Sequence, residues 1–282
     1  MSRYAYVNSA FVPHRAASVH IEDRGFQFGD AVYEVWSVRD GHLLDEQGHF
    51  ERLYRSLDQL DIRFERSQSA MQVTIHELLR RNRIREGLVY LQISRGVAPR
   101  DHAFPATNTP PTIVLTAKRF SFSAAGRRAE QGVRVITHED ERWDRCDIKS
   151  VNLLANVLAK QAAREEGAYE AWLVDKAGLV TEGSSTTAWI VNADGALVTR
   201  PLDNHILHGI TRKTVVAVAN AMSIPLIERA FTPAEAKSAR EAFITSASSF
   251  VMPVVQIDDK MIGNGAPGSL SLSLRDEYLR AQ

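Results

Sequence analysis

The first part of the chain alternates between strand-like and helix-like patterns of apolar residues. Residues 31–38 are rich in valine and aromatic side chains, which favours a strand. The Asp40-Gly41 pair that follows predicts a tight hairpin turn, because glycine permits a positive φ. Residues 49–60 repeat apolar side chains every three or four positions, which predicts a helix with one apolar stripe. The other elements predicted in this part are a helix at 69–82 and strands at 88–96 and 112–118.

A similar mixture of patterns returns in the second half. Residues 151–166 carry a helical apolar period, with Ser150 in front as a candidate N-cap and Gly167 behind as a candidate for the positive φ that ends many helices. The other elements predicted here are strands at 133–137, 170–174, 188–191, 197–199 and within 241–257, and helices at 211–222 and 270–279.

The stretch between these two parts, residues 119–131, is the candidate linker. The length of 282 residues agrees with two domains. Strands and helices occur in both halves, so the sequence predicts an α/β protein, in the broad sense that includes α+β, with a small N-terminal domain at 1–118 and a larger domain at 132–282.

Composition narrows the class of protein. The net charge is zero, with 34 basic and 34 acidic residues, which gives no electrostatic reason to expect binding to nucleic acid or to an anionic membrane. The single Cys146 excludes an intramolecular disulfide and a cysteine-based zinc site. No apolar run approaches the ~20 residues of a membrane span, and the first residues lack the apolar core of a signal peptide. The chain is therefore expected to be cytoplasmic.

One lysine stands out by its position. Lys149 immediately precedes Ser150, so the predicted helix start would fix its amine between two structured segments. A fixed amine of this kind is a candidate nucleophile for carbonyl groups. The alternative, an ordinary structural lysine beside a capped turn, remains open at this point.

Three segments of the second half present backbone N–H groups and hydroxyls, at 181–187, 208–211 and 245–249. Gly209 allows a ligand to approach the backbone, and the helix start after it favours a phosphate. A nucleophilic lysine together with a phosphate-binding cup is what pyridoxal phosphate requires. Glu182 would then be a candidate partner for the pyridine nitrogen of that cofactor. Each segment taken alone is more typical of an ordinary turn, and Glu182 of a surface carboxylate.

Other polar residues give weaker signals. Arg100 and His102 lie two residues apart in one loop, where the arginine suits a carboxylate and an ordinary solvated loop is the alternative. Arg52 lies opposite the apolar stripe of its helix, which predicts exposure to solvent. His205 and His208 are three residues apart, but no further ligand stands at suitable spacing, so no metal site is expected.

Five stretches together resemble the fold-type IV pyridoxal-phosphate enzymes. The opening motif of that group is similar to residues 23–35, Asp-Arg-Gly-Phe-Gln-Phe-Gly-Asp-Ala-Val-Tyr-Glu-Val, and the others match in order and spacing at 49–53, 145–154, 181–185 and 209–212. Tyr33 with Arg100 and His102 resembles the D-amino-acid aminotransferase family within that group. This family holds the substrate carboxylate with such a trio, the arginine and histidine coming from the second subunit of a homodimer.

The resemblance implies a role for each matching residue. Lys149 would be the Schiff-base lysine and proton shuttle, and Glu182 would pair with the pyridine nitrogen. The remaining cofactor contacts would be Arg52, Ile210, Thr211, Ser246 and Ala247 at the phosphate, and Ser185 and Leu207 around the ring. It also implies a large domain with a barrel-like mixed sheet.

Two departures from the family pattern concern these contacts. Ala247 stands where the family commonly has threonine, so a hydroxyl contact to phosphate is expected to be lost. Trp36 and Ser37 also differ, and alternation along the strand would place Ser37 beside Tyr33 and Val35 in the pocket.

The expected activity is transfer of an amino group from a D-amino acid such as D-alanine to 2-oxoglutarate. The alternatives of the same fold are an L-branched-chain aminotransferase, an (R)-amine transaminase and an aminodeoxychorismate lyase. The Arg100–His102 pair argues against all three. A non-catalytic binding protein is the alternative of a different class.

Overall fold

The computed structural model describes residues 3–282, which form two compact units. The first unit contains the described residues up to Ser121 together with Ile148–Asn152. The second unit contains Phe122–Asp147 and Leu153–Gln282. The short return of the chain at Ile148–Asn152 places Lys149 in the first unit.

The first unit is a six-stranded antiparallel sheet with helices, in the strand order β2-β1-β6-β5-β3-β4. Its strands are β1 (Tyr4–Val7), β2 (Ala10–Pro13), β3 (Ala31–Arg39), β4 (His42–Leu43), β5 (Gly87–Ser94) and β6 (Thr112–Arg119). Its helices are α1 (Arg24–Phe28), α2 (Glu46–Gln59) and α3 (Gln68–Asn82), with a short 3-10 helix at His14–Ala16.

The apolar patterns explain how this unit packs. Trp36 of β3 pairs in register with Val89 of β5, and both side chains are fully buried. Phe50 and Leu53 of α2 join them in one core. Burial of this set, at roughly 25 cal/mol per Å² of apolar surface, is the main force that holds α2 against the sheet.

The hairpin between β3 and β4 confirms the predicted turn. Asp40 and Gly41 adopt φ values of 52° and 89°. Residues with positive φ at both central positions match the right-handed twist of the paired strands, and Val38 lies opposite Leu43 as a result.

The second unit is built around a nine-stranded mixed sheet. Its strands are β7 (Val133–Glu139), β8 (Glu170–Val174), β9 (Val180–Gly183), β10 (Thr187–Val191), β11 (Leu197–Thr199), β12 (Leu226–Glu228), β13 (Glu241–Ser246), β14 (Phe250–Ile257) and β15 (Lys260–Met261). Its helices are α4 (Phe122–Gln131), α5 (Leu154–Glu165), α6 (Ile210–Ala221), α7 (Pro233–Lys237) and α8 (Ser269–Arg280). The strand order is β12-β11-β10-β13-β14-β7-β8-β9, with β15 on β14, and the pairs β11–β12, β14–β7 and β7–β8 are parallel.

Two local predictions differ from the structure. Most of the stretch predicted as a linker, 119–131, forms α4, because Ala125 and Ala129 are buried and give that segment an apolar face. Ser150 is not the N-cap of α5, which begins at Leu154. Ser150 instead pairs with Val32 of β3, so backbone pairing with a strand replaces the expected helix start.

The α/β fold class predicted from the sequence, in its broad sense, is confirmed. Within residues 3–282, no helix combines the length and the apolar character that crossing a membrane would require.

Candidate active site

Lys149 is held beside β3 by its own backbone. Its carbonyl accepts a hydrogen bond from the Tyr33 N–H at 3.0 Å, and its N–H donates to Oγ of Ser56 at 3.3 Å. Its Nζ lies 4.2 Å from the centre of the Tyr33 ring. Among the described residues of the first unit, no carboxylate lies within ion-pair distance of this amine. The lysine is therefore fixed in place while its amine is not neutralised by a neighbouring acid.

Tyr33 is part of an aromatic pair on the same sheet. Its ring stacks on Tyr90 of β5 with centroids 5.6 Å apart. Burial, with the nearby Tyr33, raises the pKa of Tyr90 to about 12, so its hydroxyl stays protonated and donates to Gln92 at 2.7 Å. Trp36 lies in the core with no exposed surface, and Ser37 is also buried. The predicted contribution of Ser37 to a substrate pocket stays a prediction.

Arg52 is buried, and the predicted exposure of this residue is wrong. Its guanidinium donates two hydrogen bonds to Glu34, from Nε to Oε1 at 2.7 Å and from Nη2 to Oε2 at 2.9 Å. Nδ1 of His49 also lies 2.8 Å from Oε2 of Glu34. The helical pattern failed here because Glu34 projects from β3 into the core and supplies the counter-charge that lets an arginine be buried.

The protonation of this cluster follows from burial and charge. Burial by itself would raise the pKa of Glu34, but the charge and hydrogen bonds of Arg52 and of His49 outweigh it and hold that pKa far below its usual range. Burial also lowers the pKa of His49, which the Glu34 carboxylate opposes only in part. At neutral pH Glu34 and Arg52 thus form an ion pair, and the neutral imidazole of His49 is hydrogen-bonded to Glu34.

Arg100 and His102 are brought together on one aromatic ring. The guanidinium carbon of Arg100 lies 5.1 Å from the centre of the Phe28 ring, and the His102 ring lies 5.4 Å from it. Both side chains are exposed in the single chain. Within the described part of the chain, no ring or polar contact joins Tyr33 to either residue.

Glu182 lies on β9 in the second unit and is almost fully buried. Its Oε1 accepts a hydrogen bond from Nη1 of Arg142 at 2.5 Å and another from the N–H of Leu207 at 3.1 Å. None of the described residues of the second unit donates a hydrogen bond to its Oε2. The structure thus joins Glu182 to the backbone of Leu207, and no hydrogen bond from the described residues occupies the second carboxylate oxygen.

Burial and Arg142 act on the charge of this carboxylate in opposite directions. Burial raises the pKa of Glu182, and the charge and hydrogen bond of Arg142 oppose that rise. Arg142 is itself fixed by Asp140, which accepts from its Nε and Nη2 at 2.9 and 2.8 Å. Burial makes the Glu182 carboxylate hold a proton more strongly, and Arg142 partly opposes this effect. Such a carboxylate is suited to share a proton with a ring nitrogen.

The candidate phosphate contacts of the second unit lie close together. The first residues of α6, Ile210 and Thr211, have buried side chains and follow Gly209 at a helix start with no side-chain cap. A side chain at Gly209 would come within 2.9 Å of Oγ1 of Thr187. Thr187 in turn pairs with Thr245 of β13, one residue before Ser246. The unsatisfied N–H groups of the helix start therefore lie near the end of β13, an arrangement suited to an anion.

Ser246 and Ser185 both take part in local hydrogen bonds. The hydroxyl of Ser246 lies 2.6 Å from that of Ser249, in the turn that also contains Ala247. Ser185 donates to Oε2 of the fully buried Glu170 at 2.7 Å, and Ser184 donates to the other oxygen of Glu170. Glu170 thereby fixes the turn after β9, two residues away from Glu182.

A family comparison agrees with this geometry. Residues 31–257 match the sequence model of the family described as amino-transferase class IV. The chain belongs to this family. The protein is therefore an aminotransferase of class IV, and the non-catalytic alternative is excluded.

Relatives of class IV resemble the chain along nearly its whole length. The D-alanine aminotransferase of Staphylococcus haemolyticus is 39% identical over 273 residues, which cover 97% of this chain and 95% of that protein. The D-alanine aminotransferase of Bacillus licheniformis is 40% identical over 268 residues, which cover 95% of this chain and 93% of that protein. The solved structure of a T.th. branched-chain amino acid aminotransferase with pyridoxamine 5'-phosphate has a TM-score of 0.90 at 27% identity, and the match covers 100% of this chain and 94% of that one. The expected fold-type IV architecture is confirmed.

Three residues of this class IV site were missed by the reasoning from sequence. Glu34 gave a usable signal, because a lone carboxylate between Val32 and Trp36 on the core side of a strand requires a buried partner. Glu170 gave the same signal at the start of an apolar strand. Arg142 gave no such signal, because it lies in a run of mixed charges without a helical or strand-like pattern of apolar residues.

Proposed function

We propose that this class IV aminotransferase is a D-amino-acid transaminase that moves the amino group of D-alanine or a similar D-amino acid to 2-oxoglutarate. The observation that carries the proposal is the placement of Arg100 and His102 side by side on Phe28. We take this pair as the anchor for a substrate carboxylate. The similarity to two D-alanine aminotransferases over nearly the whole chain supports the same activity.

Pyridoxal phosphate is the cofactor of this reaction, and the side chains present fit it. When bound, it supplies an aldehyde that links covalently to amines and a ring that withdraws electrons from Cα. Lys149 provides the amine for that link, and no carboxylate of the first unit neutralises it. Glu182 provides the carboxylate oxygen for the pyridine nitrogen. By the resemblance, the phosphate would be held by the guanidinium of Arg52, by the N–H groups of Ile210 and Ala247, and by Thr211 and Ser246. Ser185 and Leu207 would stand around the ring.

Each of these residues then has a defined task in catalysis. Lys149 would act as the base that takes the proton from the substrate Cα and as the acid that returns it. Glu182 holds the proton on the ring nitrogen and so keeps the ring electron-withdrawing. Arg142 keeps Glu182 ionised enough to do so. Burial of Glu182 excludes water from this carboxylate, which strengthens its interaction with a positive ring nitrogen.

Handedness follows from the position of the anchor relative to Lys149. A substrate must present its Cα–H to the amine of Lys149 while its carboxylate reaches Arg100 and His102. In the opposite enantiomer the hydrogen and the side chain at Cα exchange places. With the carboxylate held at the anchor, the side chain instead of the hydrogen would then point at Lys149. We assign Arg100 and His102 to the active site of the second subunit in a homodimer, as the resemblance to the D-amino-acid aminotransferases implies. The cytoplasmic location expected from the sequence remains a prediction.

The proposal is tested on the purified holoenzyme with a panel of enantiomers. We expect a visible absorption band of the lysine-bound cofactor, and kcat/KM for D-alanine with 2-oxoglutarate far above the values for L-alanine and L-leucine. A preference for L-leucine would instead assign the chain to the branched-chain aminotransferases. A preference for (R)-1-phenylethylamine would assign it to the amine transaminases.

A further inference from the structure

The loop that carries Arg100 and His102 is attached at its base to the start of α1. The N–H of Arg24 donates to the carbonyl of Gly96 at 2.9 Å, and residues Asp23 and Val97 form an isolated antiparallel bridge. Gly96 has a φ of 103°, and a side chain there would come within 2.0 Å of the Pro110 carbonyl. The backbone at the base of the loop is therefore restricted in conformation, and it pairs with the segment that begins at Asp23.

The tip of the loop is held by Arg24. This buried guanidinium donates from Nη1 to the carbonyl of Asp101 at 2.6 Å and from Nη2 to the carbonyl of His102 at 3.4 Å. Its Nε donates to Asp30 at 2.8 Å, and Asp30 also accepts two hydrogen bonds from Arg95 at 2.7 and 3.0 Å. The backbone under the anchor is thus fixed by a buried network of charges.

The side chains of the anchor are held by Phe28, one helical turn after Arg24. The guanidinium carbon of Arg24 lies 4.8 Å from the centre of the Phe28 ring, on which Arg100 and His102 also lie. Residues four apart on a helix face the same side, so Arg24 and Phe28 form one support. The ring attracts cations through its quadrupole and restricts the rotamers of an exposed arginine.

We propose that Phe28 is a positioning residue for the substrate carboxylate: it pre-orders Arg100 and His102, so that binding a carboxylate costs less conformational entropy. This inference rests on the proposed function, in which those two residues bind the carboxylate. It assigns a task to Arg24 and Phe28, which lie in the opening motif outside the residues that touch cofactor or substrate.

The test uses the holoenzyme and two matched leucine variants on α1. Phe28→Leu keeps an apolar side chain but removes the ring, whereas Phe26→Leu changes a phenylalanine on the same helix that is 71% exposed. We expect Phe28→Leu to raise KM for D-alanine and for 2-oxoglutarate about three- to tenfold, with little change in kcat. Phe28→Tyr should restore KM, and Phe26→Leu should leave both constants unchanged.

A double-mutant cycle with Arg100→Ala separates positioning from a general loss of structure. If Phe28 acts through the anchor, adding Phe28→Leu to Arg100→Ala should raise KM by much less than the product of the two single effects. Two results would overturn the proposal. One is that the effects of the two single variants on KM multiply in the double variant. The other is that Phe28→Leu lowers kcat equally for every substrate and also lowers the melting temperature. If Arg100→Ala raises KM and Phe28→Leu does not, the proposed function stands and this inference is wrong. If Arg100→Ala leaves KM unchanged, the anchor itself is wrong and both fail.

Discussion

Arg142 donates a hydrogen bond of 2.5 Å to Glu182, and both side chains are nearly inaccessible to solvent. The same guanidinium is bound in two places by Asp140, so it cannot turn away from Glu182 without breaking a second buried pair. The effect of burial on the charge of the proposed ring partner is therefore opposed by an arginine forty positions earlier in the chain.

Replacement of Glu182 by glutamine should slow catalysis while the fold persists. A neutral amide does not favour a proton on the ring nitrogen, so the rate of Cα proton transfer should fall by about a hundredfold or more, since each ~1.4 kcal/mol lost is tenfold in rate. Burial raises the pKa of Glu182, so its charged form contributes no stability at neutral pH, and the melting temperature of the variant without cofactor should change little. Single-turnover rates and melting curves check both parts. A rate change below about threefold would count against this role.

Arg142→Gln should move the pH dependence of catalysis. The arginine opposes the effect of burial on Glu182, so its loss should raise the pKa of that carboxylate further. The acid limb of the kcat profile should shift to higher pH by about one unit or more. Arg134→Gln is the control, because this arginine of the same unit binds only Glu166 and the carbonyls of Glu166 and Asp258. Identical profiles for wild type and Arg142→Gln would contradict the assignment.

Glu34→Gln should destabilise the first unit, because it leaves Arg52 buried beside a neutral amide. Loss of one member of a buried ion pair costs about 3–5 kcal/mol of unfolding free energy. The pKa of Glu34 is lowered in the folded state, so its contribution is complete above the unfolded value of 4.5 and declines progressively as the pH falls from there towards the much lower folded pKa. Urea unfolding should therefore show a large difference between the variant and wild type at pH 7 and a smaller one near pH 3. The cofactor should also bind more weakly, since Arg52 loses its support.

The surface carboxylate of Glu77 supplies the control for this experiment. Arg80 and Arg81 hold its pKa at about 2 through side-chain hydrogen bonds, but its side chain is partly exposed to solvent, unlike that of Glu34. Solvent screening makes such surface pairs contribute little to stability. Glu77→Gln should leave the unfolding curve nearly unchanged, and equal losses in both variants would show that burial is not the deciding factor.

Lys149→Ala should abolish transamination and the visible absorption band. No other lysine has the required position, and the cofactor is still expected to bind through its phosphate. Lys118→Ala, at an exposed position near the end of β6, should behave like wild type. Borohydride reduction followed by dialysis provides the measurement, because reduction turns the lysine link into a stable amine that dialysis does not remove. Cofactor that stays covalently attached to Lys149→Ala after both treatments would mean that another lysine forms the link.

Arg100→Ala should affect substrates according to their carboxylate. A charge-assisted contact is worth about 1.5–3 kcal/mol, so KM for D-alanine should rise roughly ten- to a hundredfold. The preference for the D enantiomer should relax, and (R)-1-phenylethylamine, which has no carboxylate, should be affected far less. The measurement is kcat/KM of wild type and Arg100→Ala for these two substrates and for L-alanine. Equal losses on all three would make Arg100 a structural residue.

Local sequence patterns predicted several secondary-structure elements of this protein. The period of apolar residues located α2 and β3, and the Asp40-Gly41 pair located the turn after β3. These features depend on neighbours within a few positions, so the sequence contains the needed information. The run of motifs also identified Lys149 and Glu182 as candidates, because the chemistry of each segment is local.

Contacts between distant segments were decided only by the tertiary structure. Ser150 looked like a helix cap, but pairing with Val32 over more than a hundred residues determines its place. Arg52 looked exposed because a helical period cannot show that a strand supplies Glu34 as its counter-charge. The charge of Glu182 likewise depends on Arg142, which no pattern marks. Sequence periodicity reports which face of an element is apolar, whereas the burial of a charge depends on a partner that folding alone brings within hydrogen-bond distance.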